Sequence, residues 1–328
     1  MKILKKLVVC CCLTAALFSA GCAGDSQGHI HSYTEEIVKP TASEQGYIEY
    51  KCSCGKIYRD YYGYSGEMQE DMNGYSVLFI GNSYTFWCDL PSLFKNAAES
   101  AGIEVAVDSV THGSYSLIKY ADENDRTVDD QGTGNGSVVA EKLNKNKYDI
   151  VVLQDFSTQT IDSQKDFYAG VYLLNEKVKA NGAKSVLYAT WARKEGSPAL
   201  GNLTVESMTK TIAANYNAMG EVLGVPVSPV GIAFYKCVTQ YKDIELYDTD
   251  STHPSICGHY LAALCHFAAV YGLSPEAVTY KPAGVDDAAA SRLKEIAYDA
   301  VFGKFEIEDE YIVDKNYVTK FLQDKVIK

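Results

Sequence analysis

The chain has 328 residues, enough for one full catalytic domain and a small companion. Apolar residues make up 47% and charged residues 22%, the balance of a globular protein rather than a disordered or fibrous one. A formal charge of −12 argues against a nucleic acid, or an anionic membrane surface, held by charge.

Lys2, Lys5 and Lys6 open a leader (residues 1–22) whose apolar stretch runs from Leu7 to Phe18 and ends on Ser19-Ala20-Gly21-Cys22. The stretch is too short to span a bilayer and is expected to be an export signal. Its exit resembles the lipobox of bacterial lipoproteins, with Ser19 where Leu is usual. That resemblance implies acylation of Cys22 and an exported protein anchored by lipid to the outer face of a bacterial cell membrane. Cys10, Cys11 and Cys12 leave with the leader. The remaining six, Cys52, Cys54, Cys88, Cys237, Cys257 and Cys265, lack the density of a disulfide scaffold. Cys257 and Cys265 fall in an apolar helical stretch and read as buried free thiols, while spacing leaves a Cys237–Cys257 bridge open.

Residues 23–66 form a separate piece, a small-polar tether followed by alternating Tyr, Ile and Val around turn residues. A few short strands are expected. His29, His31, Cys52 and Cys54 are ligand types that zinc takes, but Cys-x-Cys is tighter than the usual Cys-x2-Cys, so the reading goes against structural zinc. The piece resembles short Tyr-rich, Cys-containing modules on surface proteins of Gram-positive bacteria, with Pro-Thr-Ala42 where those often have Pro-Thr-Cys.

From residue 75 to 303 strands alternate with helices. Strands are predicted over 75–80, 103–110, 149–154, 185–191 and 225–230. Helices are predicted over 91–101, 137–145, 163–181, 205–223, 255–271 and 286–301. This alternation predicts a parallel five-stranded sheet covered on both faces, a three-layer α/β/α sandwich. Gly132-Thr-Gly-Asn-Gly136 reads as a turn and not a phosphate loop, since no strand precedes it and no Lys-Ser/Thr follows. Residues 304–328 form a tail to which the sequence assigns no role.

Function in an open parallel sheet gathers at the carboxyl ends of its strands. After the first strand stands Ile80-Gly81-Asn82-Ser83-Tyr84-Thr85, a Ser exposed on a sharp turn. It is not the elbow of α/β-hydrolases, which needs Gly-x-Ser-x-Gly; residue 85 is Thr. Before the long apolar helix stands Asp248-Thr-Asp250-Ser-Thr-His253-Pro254. From one loop, Asp250 and His253 can supply a general base and the carboxylate that orients it.

Together these segments resemble the first and fifth sequence blocks of the SGNH (GDSL-like) hydrolase superfamily, over residues 75 to about 275. The usual Gly-Asp-Ser is here Gly-Asn82-Ser83, as in an uncharacterised branch of that superfamily. The resemblance implies an SGNH- or flavodoxin-like sandwich in which Ser83 attacks an ester carbonyl and His253, held by Asp250, takes its proton. It implies an oxyanion held by the amides of Ser83 and Gly113 and by a side-chain amide. The expected Gly-x-Asn-Asp of the third block is replaced by Leu153-Gln154-Asp155-Phe156-Ser157, so Gln154 is the expected donor and Ser157 the second choice. Asn82, Tyr84 and Trp191 are expected to line the substrate site, with Tyr115 beside them.

The function expected is an extracytoplasmic serine esterase, acting on O-acetyl groups of carbohydrate or another small ester, without a cofactor and without nucleic acid. Two alternatives stand beside it: a lipase or thioesterase using the same site, and a non-catalytic surface carbohydrate-binding protein.

Overall fold

The computed structural model describes residues 32–38, 46–62, 73–127 and 134–327; the leader with Cys22, and both His29 and His31, lie outside them. Three antiparallel strands, β1 (Tyr33–Val38), β2 (Gly46–Cys52) and β3 (Ile57–Tyr62), make the small N-terminal sheet. Within it Cys52 is buried and Cys54 exposed. Among the described residues no group of side chains is placed to hold a metal ion.

The main domain is built on five parallel strands: β4 (Tyr75–Gly81), β5 (Val105–Thr111), β6 (Ile150–Leu153), β7 (Lys184–Tyr188) and β8 (Val227–Ser228). Their spatial order is β5-β4-β6-β7-β8, so the chain starts inside the sheet, steps to one edge, and then crosses to the other. This reversal beside β4 is the switch point at which an open α/β sheet leaves a crevice at its carboxyl end.

The strands are apolar on both faces because both are covered. Val77 and Phe79 of β4, Ile150 and Val152 of β6, and Val186 and Tyr188 of β7 point into one core; Leu78, Ile80, Val151, Leu153 and Leu187 point into the other. The first core is closed by α2 (Leu90–Ser100), α8 (Val230–Gln240), α9 (Ile256–Tyr271) and α10 (Asp287–Phe302). The second is closed by α3 (Leu117–Ala121), α4 (Gly136–Lys145), α6 (Gln164–Asn181) and α7 (Val205–Leu223). The three-layer α/β/α sandwich expected from the alternation is the fold observed.

Two differences from the expected elements have local causes. Only Val227–Ser228 of the fifth expected strand pairs in the sheet, and Val230 already begins α8, whose Val230, Ile232, Ala233 and Phe234 are buried. The tail holds an amphipathic helix, α11 (Lys315–Lys325), which inserts Val318 and Leu322, one turn apart, into the second core. Cys237 and Cys257 are free thiols, as are Cys88 and Cys265.

Helix α9 is buried almost all round, and with it His259 and His266. Burial pushes both imidazoles down to about 3, so they pack as neutral rings. His266 stands edge-on to Tyr188 and Phe79. No helix among the described residues is long and apolar enough to cross a membrane.

Candidate active site

Ser83 opens a one-turn helix, α1 (Ser83–Phe86), directly after β4. Asn82 caps that turn, its Oδ1 accepting from the Tyr84 amide at 3.2 Å. A Cβ on Gly81 would lie 2.3 Å from Thr85 Oγ1 and 2.5 Å from Gln154 Oε1, so only glycine fits where the strand turns into α1.

The loop after β5 is tied to this turn. The His112 amide and the Tyr120 hydroxyl both donate to the Gly81 carbonyl, at 3.2 and 2.6 Å, and Asn82 Nδ2 donates to the Tyr115 carbonyl at 3.0 Å. Gly113 lies half-buried in that loop, between His112 and Ser114, whose φ is +55°.

Asp250 and His253 come from the loop before α9. Its ends are pinned by the Asp248 amide donating to the His253 carbonyl at 2.8 Å, and Ser255 caps α9 through the Gly258 amide at 3.2 Å. Asp250 Oδ1 accepts from the amides of Thr252 and His253, at 2.9 and 2.8 Å. Its Oδ2 lies 2.5 Å from His253 Nδ1. Burial alone would raise the Asp250 carboxyl, but the bonds from the His253 ring and from the two amides outweigh it and hold it below its usual range.

On the other side of the imidazole, His253 Nε2 lies 2.8 Å from Ser83 Oγ. Hydroxyl, imidazole and carboxylate therefore stand in one hydrogen-bonded line, drawn from segments 170 residues apart. An Nδ1 proton shared with a carboxylate leaves Nε2 free to accept from a hydroxyl, which is the arrangement a serine nucleophile requires.

The neighbours expected to touch substrate lie buried beneath the site. Asn82, Tyr84 and Trp191 are all buried. Tyr84 stacks on Trp191 with centroids 4.3 Å apart, and Trp191 stacks on Phe234 at 4.4 Å, so the three rings are a packed pillar under the site. Trp191 Nε1 also donates to the Thr252 carbonyl at 3.1 Å, bracing the loop that carries His253.

Gln154 is likewise fully buried and its side-chain amide is consumed within the protein. Oε1 accepts from the Asn82 amide at 2.8 Å and from Thr85 Oγ1 at 2.9 Å; Nε2 donates to Asn82 Oδ1 at 2.9 Å and to the Asp155 carbonyl. Both amide protons are spent, so Gln154 has none for an oxyanion. Ser157, the second choice, lies under the site beside the Tyr84 hydroxyl.

Two residues that sequence reasoning did not single out stand here. Trp87, four residues after Ser83, stacks on the His253 ring with centroids 4.4 Å apart and planes 18° from parallel, and its Nε1 donates to Asp248 Oδ2 at 3.1 Å. It is 40% exposed, and is the aromatic surface at the mouth. Arg193 follows β7 in a loop bound to the His253 loop on both sides: Lys194 N donates to the Ser251 carbonyl at 3.1 Å, and the Tyr247 hydroxyl to the Ala192 carbonyl at 2.7 Å. The spacing of Trp87 from Ser83 was a readable signal; nothing in the sequence marked Arg193.

No protein-family model matches the chain, and no curated protein does. Among solved structures it is similar to a candidate SGNH hydrolase from Slackia heliotrinireducens, at 27% identity and a TM-score of 0.50, over 60% of this chain and 100% of that one. It is similar in fold to a DUF4886 family protein from Bacteroides uniformis ATCC 8492, at 20% identity and a TM-score of 0.59, over 73% of this chain and 99% of that one. With the strand order, the turn after β4 and the first of these likenesses taken together, the main domain is an SGNH-like hydrolase domain.

Proposed function

We propose that the protein is a serine esterase acting outside the cytoplasm, with Ser83 as nucleophile, His253 as general base and Asp250 as its orienting carboxylate. The observation that carries this reading is the 2.8 Å approach of His253 Nε2 to Ser83 Oγ with Asp250 on the opposite ring nitrogen. In the first step His253 takes the hydroxyl proton as Ser83 attacks the ester carbonyl, and returns it to the departing alcohol. Water then repeats the sequence on the acyl-enzyme and frees the acid. The amides of Ser83 and Gly113 are the proposed oxyanion donors. The substrate proposed is a small acyl ester, with O-acetyl carbohydrate as the first class to try. Export and lipidation at Cys22 rest on the leader sequence alone. The proposed organisation is leader, N-terminal β module, hydrolase domain over 75–303, and the tail with α11.

The test is turnover of 4-nitrophenyl acetate, and labelling by a fluorophosphonate, in the wild type and in Ser83→Ala. Both are expected in the wild type and absent from a variant of equal thermal stability. Turnover that persists in Ser83→Ala discards the mechanism. A folded wild type that neither turns over nor labels favours the non-catalytic binding protein, a reading that the fully engaged Gln154 amide supports.

A further inference from the structure

Arg193 is half-buried in the loop after β7, and its Nε is shut off from solvent with no hydrogen-bond partner. Of the arginines whose side chains are described, Arg126 donates to the carbonyls of Glu123 and Asp125, and Arg292 pairs with Asp243 at 2.7 Å. The Arg193 guanidinium makes no hydrogen bond or ion pair among the described residues. A guanidinium cannot shed its charge, and a buried donor left unused, as Nε is here, is costly.

Three carboxylates of the adjoining segment 245–250 are already committed. Glu245 pairs with the adjacent Lys194 at 2.5 Å, Asp248 accepts from Trp87, and Asp250 holds His253. The fold thus leaves the Arg193 guanidinium without an ion pair in a loop bonded to the one that carries His253. The Tyr84 hydroxyl is likewise buried without a hydrogen-bond partner, with Ser157 beside it. Tyr84 immediately follows Ser83, and Arg193 lies close enough to act electrostatically on its hydroxyl. Residues on both sides of Arg193 are bonded to the loop of His253.

We propose that Arg193 is a specificity-determining residue that receives a carboxylate of the substrate, so that the preferred ester is one whose molecule also carries an acid group. The planar fork of a guanidinium matches a carboxylate in two parallel bonds, which fixes orientation as well as charge. This rests on the esterase reading above and names the class of ester within it.

The experiment compares matched esters in the full-length protein: 4-nitrophenyl hemisuccinate against 4-nitrophenyl butyrate for an acid on the acyl side, and 4-acetoxybenzoate against phenyl acetate for one on the alcohol side. In at least one pair the wild type is expected to favour the acidic ester in kcat/KM. Arg193→Gln is expected to lower that charged-to-neutral ratio about tenfold or more, and Arg193→Lys to retain part of it. Equal losses on charged and neutral esters would place Arg193 at the reacting carbonyl instead. Unchanged ratios, or a wild type that favours the neutral ester in both pairs, overturn the proposal. Calorimetric binding of monomethyl succinate and methyl butyrate to Ser83→Ala needs no turnover. If no ester is hydrolysed, the esterase reading fails; monomethyl succinate binding that Arg193→Gln abolishes would still uphold the carboxylate site, and no binding would sink it.

Discussion

Asn82 and Gln154 grip each other twice: the Asn82 amide donates to Gln154 Oε1, and Gln154 Nε2 donates to Asn82 Oδ1. Both stand at positions where the chain departs from the usual Gly-Asp-Ser and Gly-x-Asn-Asp blocks, so these two departures are one feature. An Asp at 82 would set a carboxylate oxygen against the Tyr115 carbonyl, where Asn82 Nδ2 now donates. Asn82→Asp and Gln154→Asn are each expected to cost about 1–3 kcal/mol. A double-mutant cycle read by urea unfolding should show coupling of about 0.5–3 kcal/mol. Simple additivity would mean that the pair does not act as a unit.

Gly81→Ala should be felt by the same network, because the new methyl would meet Thr85 Oγ1 and Gln154 Oε1 at once. A loss of about 1–3 kcal/mol in stability is expected, with lower activity per folded molecule as the Ser83 turn shifts. A variant as stable and as active as the wild type would show that the strand end has slack.

Trp87 covers one face of His253, the ring that becomes an imidazolium during the proposed reaction. An aromatic face favours a cation by about 0.5–1 kcal/mol at a partly exposed site. Trp87→Leu is therefore expected to lower kcat about two- to fivefold on 4-nitrophenyl acetate with little change in melting temperature, and Trp87→Phe to keep most of the rate. A drop in stability larger than the drop in rate would recast Trp87 as packing for the loop.

Asp155 is fully buried, and burial pushes its carboxyl up to about 7 against the opposing pull of the Leu117 and Phe156 amides. In the unfolded chain such a group titrates near ~3.9. Across roughly pH 4 to 7 the folded protein holds a proton that the unfolded chain has released, so this group makes stability fall as pH rises through that window. Asp155→Asn keeps an oxygen for the two amides and cannot ionise. Its unfolding free energy, measured at pH 5 and pH 8, should fall less with pH than that of the wild type. Parallel pH dependence would show that Asp155 keeps an ordinary carboxylate titration.

The sheet and most of its helices were legible because strands buried on both faces read as apolar runs, and helices with one wet face keep a 3.6 period. Val205–Leu223 is a helix over the residues the pattern marked. Helix α8 was not legible: Val, Ile, Phe and Tyr behind Pro229 resemble the end of a strand, and only packing against α9 and α10 decides otherwise. Ser83, Asp250 and His253 stood out by their places at loop and strand ends and by the resemblance to the SGNH blocks, and the fold brings them together. Gln154 was legible as an unusual polar residue at a strand end, but its amide is spent on Asn82, 72 residues earlier, and no local pattern reports such a pairing. Tyr84 and Trp191 were read as surface aromatics for want of any sign that Phe234 completes their stack.

The 170-residue separation of Ser83 and His253 also sets when the site comes into being. Contacts that close so long a loop form late, after the local helices and the first strand pairs are in place. The hydroxyl emerges early in synthesis and stays without its base until α9 docks, so an incompletely folded chain carries an unactivated serine. Under the proposed mechanism, catalytic competence is thereby a reporter of completed folding.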